Sequence, residues 1–515
     1  MLQFILNKPI WMLSGICLLL FISADIFFNA VISASAAHYI LLSGILILCC
    51  TDFIKRITMA IIALVFALIY VFSAEQDIFL LLGEIINICI LAKHNKFTKE
   101  IIIFSIIALG FILHLYYIQN TAIDVRQHDL SGILFYMKSI TQNGINFIHF
   151  NPWQMYYLFH QPLHFIIYGH IYFLELKLLG STIAAQEGLQ YISLYYVTIS
   201  TLVAIKIFDT FNFNKYIFYG ATILFAFNPT LFLFSGYISD DVLVFMLSLL
   251  FLYYLINWYK TDKTNYIIYA AICFGFGVLT KLSILILSPA VALLFLIKLW
   301  HSEHKNKVIE AISYFTIIAV PLSLIWIARN HILFDMAFYN IPDTSPSGQN
   351  FKYLTFIERI TDFSTLLSPF IKVPELVENN MWLALVKTEL FGEWDMSISH
   401  PFAGKIAYLL YFINIILSIV ALISSFVLSF RYFFKKADFL AFFFALIYII
   451  TWLYSFKYAM DYPYACSTDY RLFATLMLPE LIIISLAIPK KSAPYLFGSA
   501  LGYALFSSLI YIFGI

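Results

Sequence analysis

Apolar positions in this chain come in long unbroken blocks rather than in the alternation of an amphipathic soluble fold. Blocks of roughly 15 to 25 residues, the length of helix that crosses about 30 Å of hydrocarbon, lie near 9–28, 30–50, 58–73, 78–92, 101–118, 188–205, 216–234, 241–257, 266–280, 283–299, 309–329, 405–430, 438–456, 473–488 and 494–512. They predict about fifteen membrane spans. The polar punctuation between them is uneven. Basic residues gather at Lys55/Arg56, Lys93/Lys96/Lys99, Lys206/Lys215, Lys260/Lys263, Lys298/Lys305/Lys307, Arg431/Lys435/Lys436 and Lys490/Lys491, alternating with loops poorer in them. By the positive-inside rule these clusters mark the cytoplasmic side.

One apolar segment breaks the count. If Met155 to Leu179 crossed, Lys99 and Lys206 would fall on opposite sides. The segment carries His160, His164, His170, Glu175 and Lys177, which suits a helix lying in the interface better than one in hydrocarbon. Residues 119–187 then form one external loop with two surface-lying helices. The turns at 235–241 and 280–283, a large loop over 330–405 and the loop 457–471 fall on the same side.

Composition places the chain in a bilayer: 62% of residues are hydrophobic and 11% charged, with a mean hydropathy of +0.89. A net charge of +1 and the lack of a long basic run exclude nucleic acid as a partner. Cys17, Cys49, Cys50, Cys89 and Cys273 sit inside apolar blocks and no C-x-x-C pair occurs, so neither a disulfide framework nor a thiolate metal site is indicated. The first block follows Lys8 without a small-residue cleavage site and reads as a retained signal anchor. The chain divides into extra N-terminal spans (1–100), a core with the first external loop (101–330), the large external loop (331–404) and C-terminal spans (405–515), with no separate soluble domain.

Ionisable residues outside the basic clusters gather on the external side: Asp124, Arg126, Asp129, Asp241, Lys281, Arg329, Glu389, Glu393, Asp469 and Arg471. Such groups at span ends need water or partners, and together they suggest a polar cavity. Glu84, Asp25, His38 and His114 alone interrupt spans, and no Gly/Pro-broken pair of half-helices stands out, which weakens a transport reading. Asp129 opens a helix-period stripe ending at Asn143-Gly144, as an N-cap or as a functional carboxylate. His160 and His164 stand at i and i+4 on one helical face, a spacing open to metal ligation or to headgroup and substrate contact. Asp240 and Asp241 begin a span, capping it or facing the cavity. Thr280-Lys281 puts a cation and a hydroxyl at an external turn, and Arg329-Asn330 and Asp469-Tyr470-Arg471 add two guanidiniums, all suited to phosphate and equally to anchoring at headgroup level. The large loop, with Pro342, Pro346, Gly348, Pro369 and Pro374, shows no helical or strand period and reads either as a lid or as a plain surface loop.

Taken in chain order, Asp129, Gly144, Gln161-Pro162-Leu163, Asp241, Thr280-Lys281 and Arg329-Asn330 resemble the GT-C superfamily of polyprenyl-phosphate-sugar-dependent glycosyltransferases. The likeness is to the branch containing protein O-mannosyltransferases and the lipid A aminoarabinose transferase. Arg126-Gln-His128-Asp129, Lys387-Thr-Glu-Leu-Phe-Gly-Glu393 and Cys466-Ser-Thr-Asp-Tyr-Arg471 are similar to bacterial members. The resemblance runs from about Phe104 to Ile488; Leu130 stands where many members have Glu, Gln161 replaces a proline, and four spans precede the matching part.

The resemblance implies an all-α integral membrane protein, a GT-C-type bundle of about 13–15 transmembrane helices with interfacial helices in the first large external loop. It implies inverting transfer of a sugar from a polyprenyl-phosphate donor to a lipid or polymer acceptor, without a resident cofactor, a divalent metal being a minor alternative. Asp129 is then the candidate base, with Asp241 sharing that role or binding sugar or acceptor. Asp124, Arg126, His128, His160, Lys281, Arg329, Glu389, Glu393, Asp469 and Arg471 are candidates for substrate and phosphate contact. A polysaccharide polymerase or ligase, and a lipid flippase or transporter, are the competing expectations. The sequence has no Asn-x-Ser/Thr sequon with a non-proline middle residue, which favours a bacterial inner membrane with the site facing the periplasm.

Overall fold

A computed structural model describes residues 39–40, 42–44, 47, 53–72, 78–94, 98–153, 156–336, 351, 353–371, 378–396, 401–435 and 438–514. The blocks expected at 9–28 and most of 30–50, with the signal anchor, Asp25 and His38, lie outside the described residues, as do Pro342, Pro346, Gly348 and Pro374 of the large loop. The described residues are helical and contain no strand. Ten helices among them are long and apolar enough to span a bilayer. The chain is an all-α integral membrane protein.

In chain order the helices are α1 (Phe53–Phe72), α2 (Ile78–His94), α3 (Lys99–Gln119), α4 (Leu130–Asn143), α5 (Leu163–Leu179), α6 (Thr182–Asp209), α7 (Lys215–Ala226), α8 (Pro229–Gly236) and α9 (Asp240–Thr261). They continue with α10 (Thr264–Thr280), α11 (Ser288–His301), α12 (Lys305–Phe334), α13 (Phe356–Thr361), α14 (Met381–Phe391), α15 (Pro401–Lys435), α16 (Phe439–Asp461), α17 (Met477–Ala487) and α18 (Ala493–Phe513). Every block expected from 58 onward contains a helix.

Burial separates the centre of the bundle from its rim. The apolar window of Lys215–Gly236 is 94% buried and that of Thr182–Asp209 83%, against 22% for Lys305–Phe334. Hence α6, α7 and α8 form the centre, while α12 and α15 turn residues such as Ile317, Ile325, Ile416, Ile423 and Phe426 outward, where lipid replaces protein as the neighbour. Close approach between spans uses glycine: a Cβ on Gly275 of α10 would lie 2.6 Å from Leu322 Cβ on α12.

The two ends of the bundle differ. Lys99 at the start of α3 pairs with Asp209 at the end of α6, Lys260 donates to Thr210 O, and Lys298 bonds Tyr259 O at 2.8 Å and Asp262 at 2.7 Å. These contacts gather Lys99, Lys260 and Lys298 at one end, together with the end of α6 that carries Lys206. At the other, Gln119 at the end of α3 donates to Tyr191 near the start of α6, so the intervening α4 and α5 leave and return at the same end. Lys99 and Lys206 therefore share one end, as the parity argument requires. Leu163–Leu179 is not among the candidate spans.

Three local features depart from the sequence reading. The block 216–234 is one candidate span, yet its helix breaks at Phe227-Asn228, because Pro229 offers no N–H and forces the preceding residue out of helical geometry. Asn228 Oδ1 accepts from Thr230 N at 2.9 Å to start α8, and Asn228 Nδ2 donates to Glu389 Oε1 at 3.0 Å. The freed polar groups are thus satisfied inside the protein, as a broken span requires. Second, the 155–179 segment is split: a 3₁₀ turn over Tyr156–Phe159 precedes α5, whose N-cap is Pro162. His160 therefore lies in a turn and not on one helical face with His164.

The third is the large loop, which holds a buried helix. All of α14 is buried apart from partly covered Trp382, although Lys387 and Glu389 interrupt its apolar pattern. The charges are tolerated because they are matched. Lys387 Nζ bonds Glu378 at 2.5 Å, both almost fully buried, and Glu389 Oε2 accepts from Asn414 Nδ2 at 2.8 Å. Nearby α13 starts with a Thr355–Glu358 capping box, and buried Arg359 donates to Ala459 O at 2.7 Å and stacks on Phe351. These parts of the loop are pinned to α16 and to the bundle.

Gly275→Val should force α10 and α12 apart, costing about 1–3 kcal/mol and lowering the thermal unfolding midpoint in detergent. Gly498→Ala, where a Cβ meets nothing within 4 Å, should leave the midpoint unchanged.

Candidate functional site

The site is built at the start of α9. Ser239 in extended geometry caps that helix: its Oγ accepts from Asp241 N at 3.2 Å. Neither Asp240 nor Asp241 is needed as the cap, contrary to the simplest expectation, and both carboxylates are available to other elements. Asp241, 1% exposed, takes Lys281 Nζ on Oδ1 at 2.5 Å and Arg471 Nη1 on Oδ2 at 3.4 Å. Lys281 also bonds Asp240 Oδ1 at 3.0 Å. Arg471 in turn donates from Nε to Asp469 Oδ2 at 3.1 Å. One continuous chain of alternating charge therefore joins the ends of three separate stretches.

The loop between α3 and α4 closes over this chain. Gln127 Nε2 donates to Gly236 O at 2.6 Å, and Gln127 Oε1 accepts from Ile238 N at 3.1 Å, tying the loop to the extended residues leading into Asp240. Next to it His128 Nε2 lies 3.5 Å from Asp469 Oδ2, and Nδ1 4.0 Å from Glu393 Oε2. The ring stands edge-on to Tyr237 with centroids 5.4 Å apart. Asp129 follows in the left-handed region at φ 54°, and its side chain caps nothing. Arg126 is left-handed too, at φ 57°. A non-glycine residue in that region costs energy and gathers at functional sites. The exposed Asp129 carboxylate acts electrostatically on His160 and Glu393. His160 Nδ1 lies 3.9 Å from Asp240 Oδ2.

The surroundings set the protonation states. Burial, reinforced by Arg471 and Lys281, drives His128 well below the ordinary imidazole value. Burial also lowers His160 despite Asp240, and pushes His164 down to about 4, so these rings are neutral at neutral pH. Burial opposes charge on Lys281, yet Asp240 and Asp241 outweigh it and hold the ammonium above its usual value. Glu393 is raised to about 7 by burial and by the neighbouring carboxylates of Asp469 and Asp129, against Arg471.

Asp129, His128, His160, Asp241, Lys281, Glu393, Asp469 and Arg471 thus come together, and Asp240 joins them. Four other candidates do not. Asp124 is exposed on the loop and has no part in the ion-pair chain. Arg126 Nη2 donates to Gly514 O at 2.8 Å, fastening the loop to the end of α18. Arg329 donates from Nε to Ile148 O at 2.8 Å and lies against Trp326 and Phe334, so it holds the connection after α4. Glu389 is spent on Asn228 and Asn414. Gln127, Ser239 and Tyr237 are the parts that side-chain chemistry alone did not announce; Gln127 stood inside the Arg126–Asp129 motif but carries no charge to flag it. Among the described residues no group of three His, Cys, Asp or Glu is placed to hold a metal ion.

No family model and no curated protein matches the chain.

Because Glu393 titrates at about 7 against an ordinary 4.5, the folded protein holds a proton that the unfolded chain releases between those values. Its stabilisation is complete below about pH 4.5 and lost as pH rises through about 7. Glu393→Gln should therefore flatten the fall of the thermal midpoint between these limits relative to wild type. Parallel pH profiles for the two proteins would contradict the assignment.

Proposed function

We propose that the chain is a membrane glycosyltransferase that moves a sugar from a polyprenyl-phosphate donor to an acceptor hydroxyl, with inversion at the anomeric carbon, on the external face of the membrane. The observation that carries the proposal is the cluster at the non-basic end of the bundle. An uncapped, exposed Asp129 stands there in left-handed geometry, close to a buried chain of Asp240, Lys281, Asp241, Arg471 and Asp469. A bacterial inner membrane with the site facing the periplasm is part of the proposal, because the basic clusters gather at the opposite end.

The roles follow from chemistry. The acceptor oxygen attacks the anomeric carbon, its proton passes to the Asp129 carboxylate, and the bond from that carbon to the phosphate oxygen breaks. The leaving phosphate needs positive charge. Lys281 uses two of its three N–H groups on Asp240 and Asp241, and with the partly exposed Arg471 it faces the place where that charge develops. Fixing these cations on carboxylates before substrate arrives keeps them oriented in a water-poor site.

A transport reading has one observation in its favour: α7 and α8 form a broken span, and buried Glu389 and Glu480 interact electrostatically beside it. Flux of polyprenyl phosphate across proteoliposomes without glycosyl product would select that reading.

Asp129→Asn should lower the rate of sugar transfer from a glycosyl polyprenyl phosphate by about 10²-fold or more, the usual size of a general-base contribution, while donor binding persists. Near-wild-type turnover in that variant removes Asp129 from the role of base.

A further inference from the structure

Beside the ion-pair chain, and sharing Asp240 with it, is a smaller polar group whose open atoms the proposed transfer chemistry leaves unused. Asp240 gives Oδ1 to Lys281 at 3.0 Å, while its Oδ2 is buried and accepts no hydrogen bond. On α5, which packs against α9 and α10, His164 is fully buried and neither ring nitrogen has a hydrogen-bond partner. Buried polar atoms in native proteins are nearly always paired with protein, water or ligand, so this local concentration of open positions points to an occupant. His160, with Nδ1 3.9 Å from Asp240 Oδ2 and 32% of its side chain exposed, stands at the opening.

We propose that His164, Asp240 Oδ2 and His160 form a subsite for neighbouring hydroxyl groups of a sugar ring, distinct from the place where the phosphate and the reacting carbon sit. A neutral imidazole offers one donor and one acceptor, and a carboxylate oxygen offers an acceptor. Hydroxyls, which both donate and accept, match that set. A phosphate, which only accepts, finds its donors on Lys281 and Arg471, whereas the open Asp240 Oδ2 on this side would repel it. The walls suit a sugar as well: the Tyr168 ring lies 4.1 Å from that of His164, and Phe165 stacks on Tyr136 at 4.2 Å. Tyr136 donates to His160 O at 3.1 Å and so holds the turn in place. Burial keeps both imidazoles neutral, as hydroxyl recognition requires.

This subsite rests on the glycosyltransfer proposal, and its test is a binding measurement on the full chain in lipid nanodiscs. Two probes are compared: undecaprenyl phosphate, and the same lipid carrying a hexose or pentose. Wild type should bind at least one glycosyl form about tenfold or more tightly than the sugar-free lipid. His164→Leu should abolish that preference and leave affinity for undecaprenyl phosphate unchanged, and His164→Asn or His164→Gln, each keeping an amide in place of a ring nitrogen, should restore part of it. Equal binding of all lipids by wild type, or equal weakening of both probes by His164→Leu in a protein whose unfolding midpoint is unchanged, overturns the subsite. Should His164→Leu fail to fold, His160→Leu in the partly exposed turn reads the same preference. Selective glycolipid binding without any transfer would sink the transferase proposal and leave the subsite standing; transfer without a His164-dependent preference would do the reverse.

Discussion

The arrangement depends on one buried carboxylate, Asp241, held between Lys281 at 2.5 Å and Arg471 at 3.4 Å. The three residues come from the start of α9, the turn after α10 and the 3₁₀ stretch before α17, so two ionic contacts on one carboxylate tie three stretches of the bundle together. Such a group is poor as a source of net stability, because desolvation consumes most of the Coulomb gain. Its value lies in what happens when it is incomplete. Removing one partner leaves a buried charge short of part of its counter-charge, at a cost of up to about 3–5 kcal/mol, which disfavours arrangements that separate the three residues.

That constraint extends outward. Asp240 shares Lys281 and reaches toward His160; Asp469 shares Arg471 and reaches toward His128. The loop between α3 and α4, clamped by Gln127 on the backbone at 236–238 and by Arg126 on Gly514, is thereby placed so that Asp129 faces the cluster from a strained backbone. Pinning of the large loop through Arg359 and through the Lys387–Glu378 pair sets α14, and with it Glu393, on the other flank. The cluster is then surrounded by elements that are individually fastened, which suits the proposed reaction, one needing pre-oriented charges rather than mobile ones.

The helical pattern was legible in the sequence because a helix in lipid must be apolar along its length: every block from 58 onward contains a helix, and all but those at 58–73, 78–92 and 266–280 fall in helices long and apolar enough to span. The grouping of Lys99 and Lys206 at one end of the bundle was legible too, since the Lys99–Asp209 pair sets Lys99 beside the end of α6. Residue type alone could not say which charges are spent on structure. Arg126, Arg329 and Glu389 carry the right chemistry for a substrate, but the fold gives their hydrogen bonds to Gly514, Ile148, Asn228 and Asn414. The same limit hid α14, whose charges break the apolar pattern and are satisfied by Glu378 just before the helix and by distant Asn228 and Asn414. Asp129 illustrates the converse. Its position before a helix suggested a cap, and only the left-handed backbone frees its carboxylate.

The central claim is that Asp241 and its cations act as a single buried unit that organises the end of the bundle opposite Lys99 and Lys298. A double-mutant cycle of Asp241→Asn and Lys281→Met, read on the unfolding free energy of the full chain in detergent, tests it most directly. The account predicts that each single variant loses stability, that the double variant loses less than the sum, and that the coupling is about 1 kcal/mol or more. Additive losses would show that the two groups are independent, and would contradict the account.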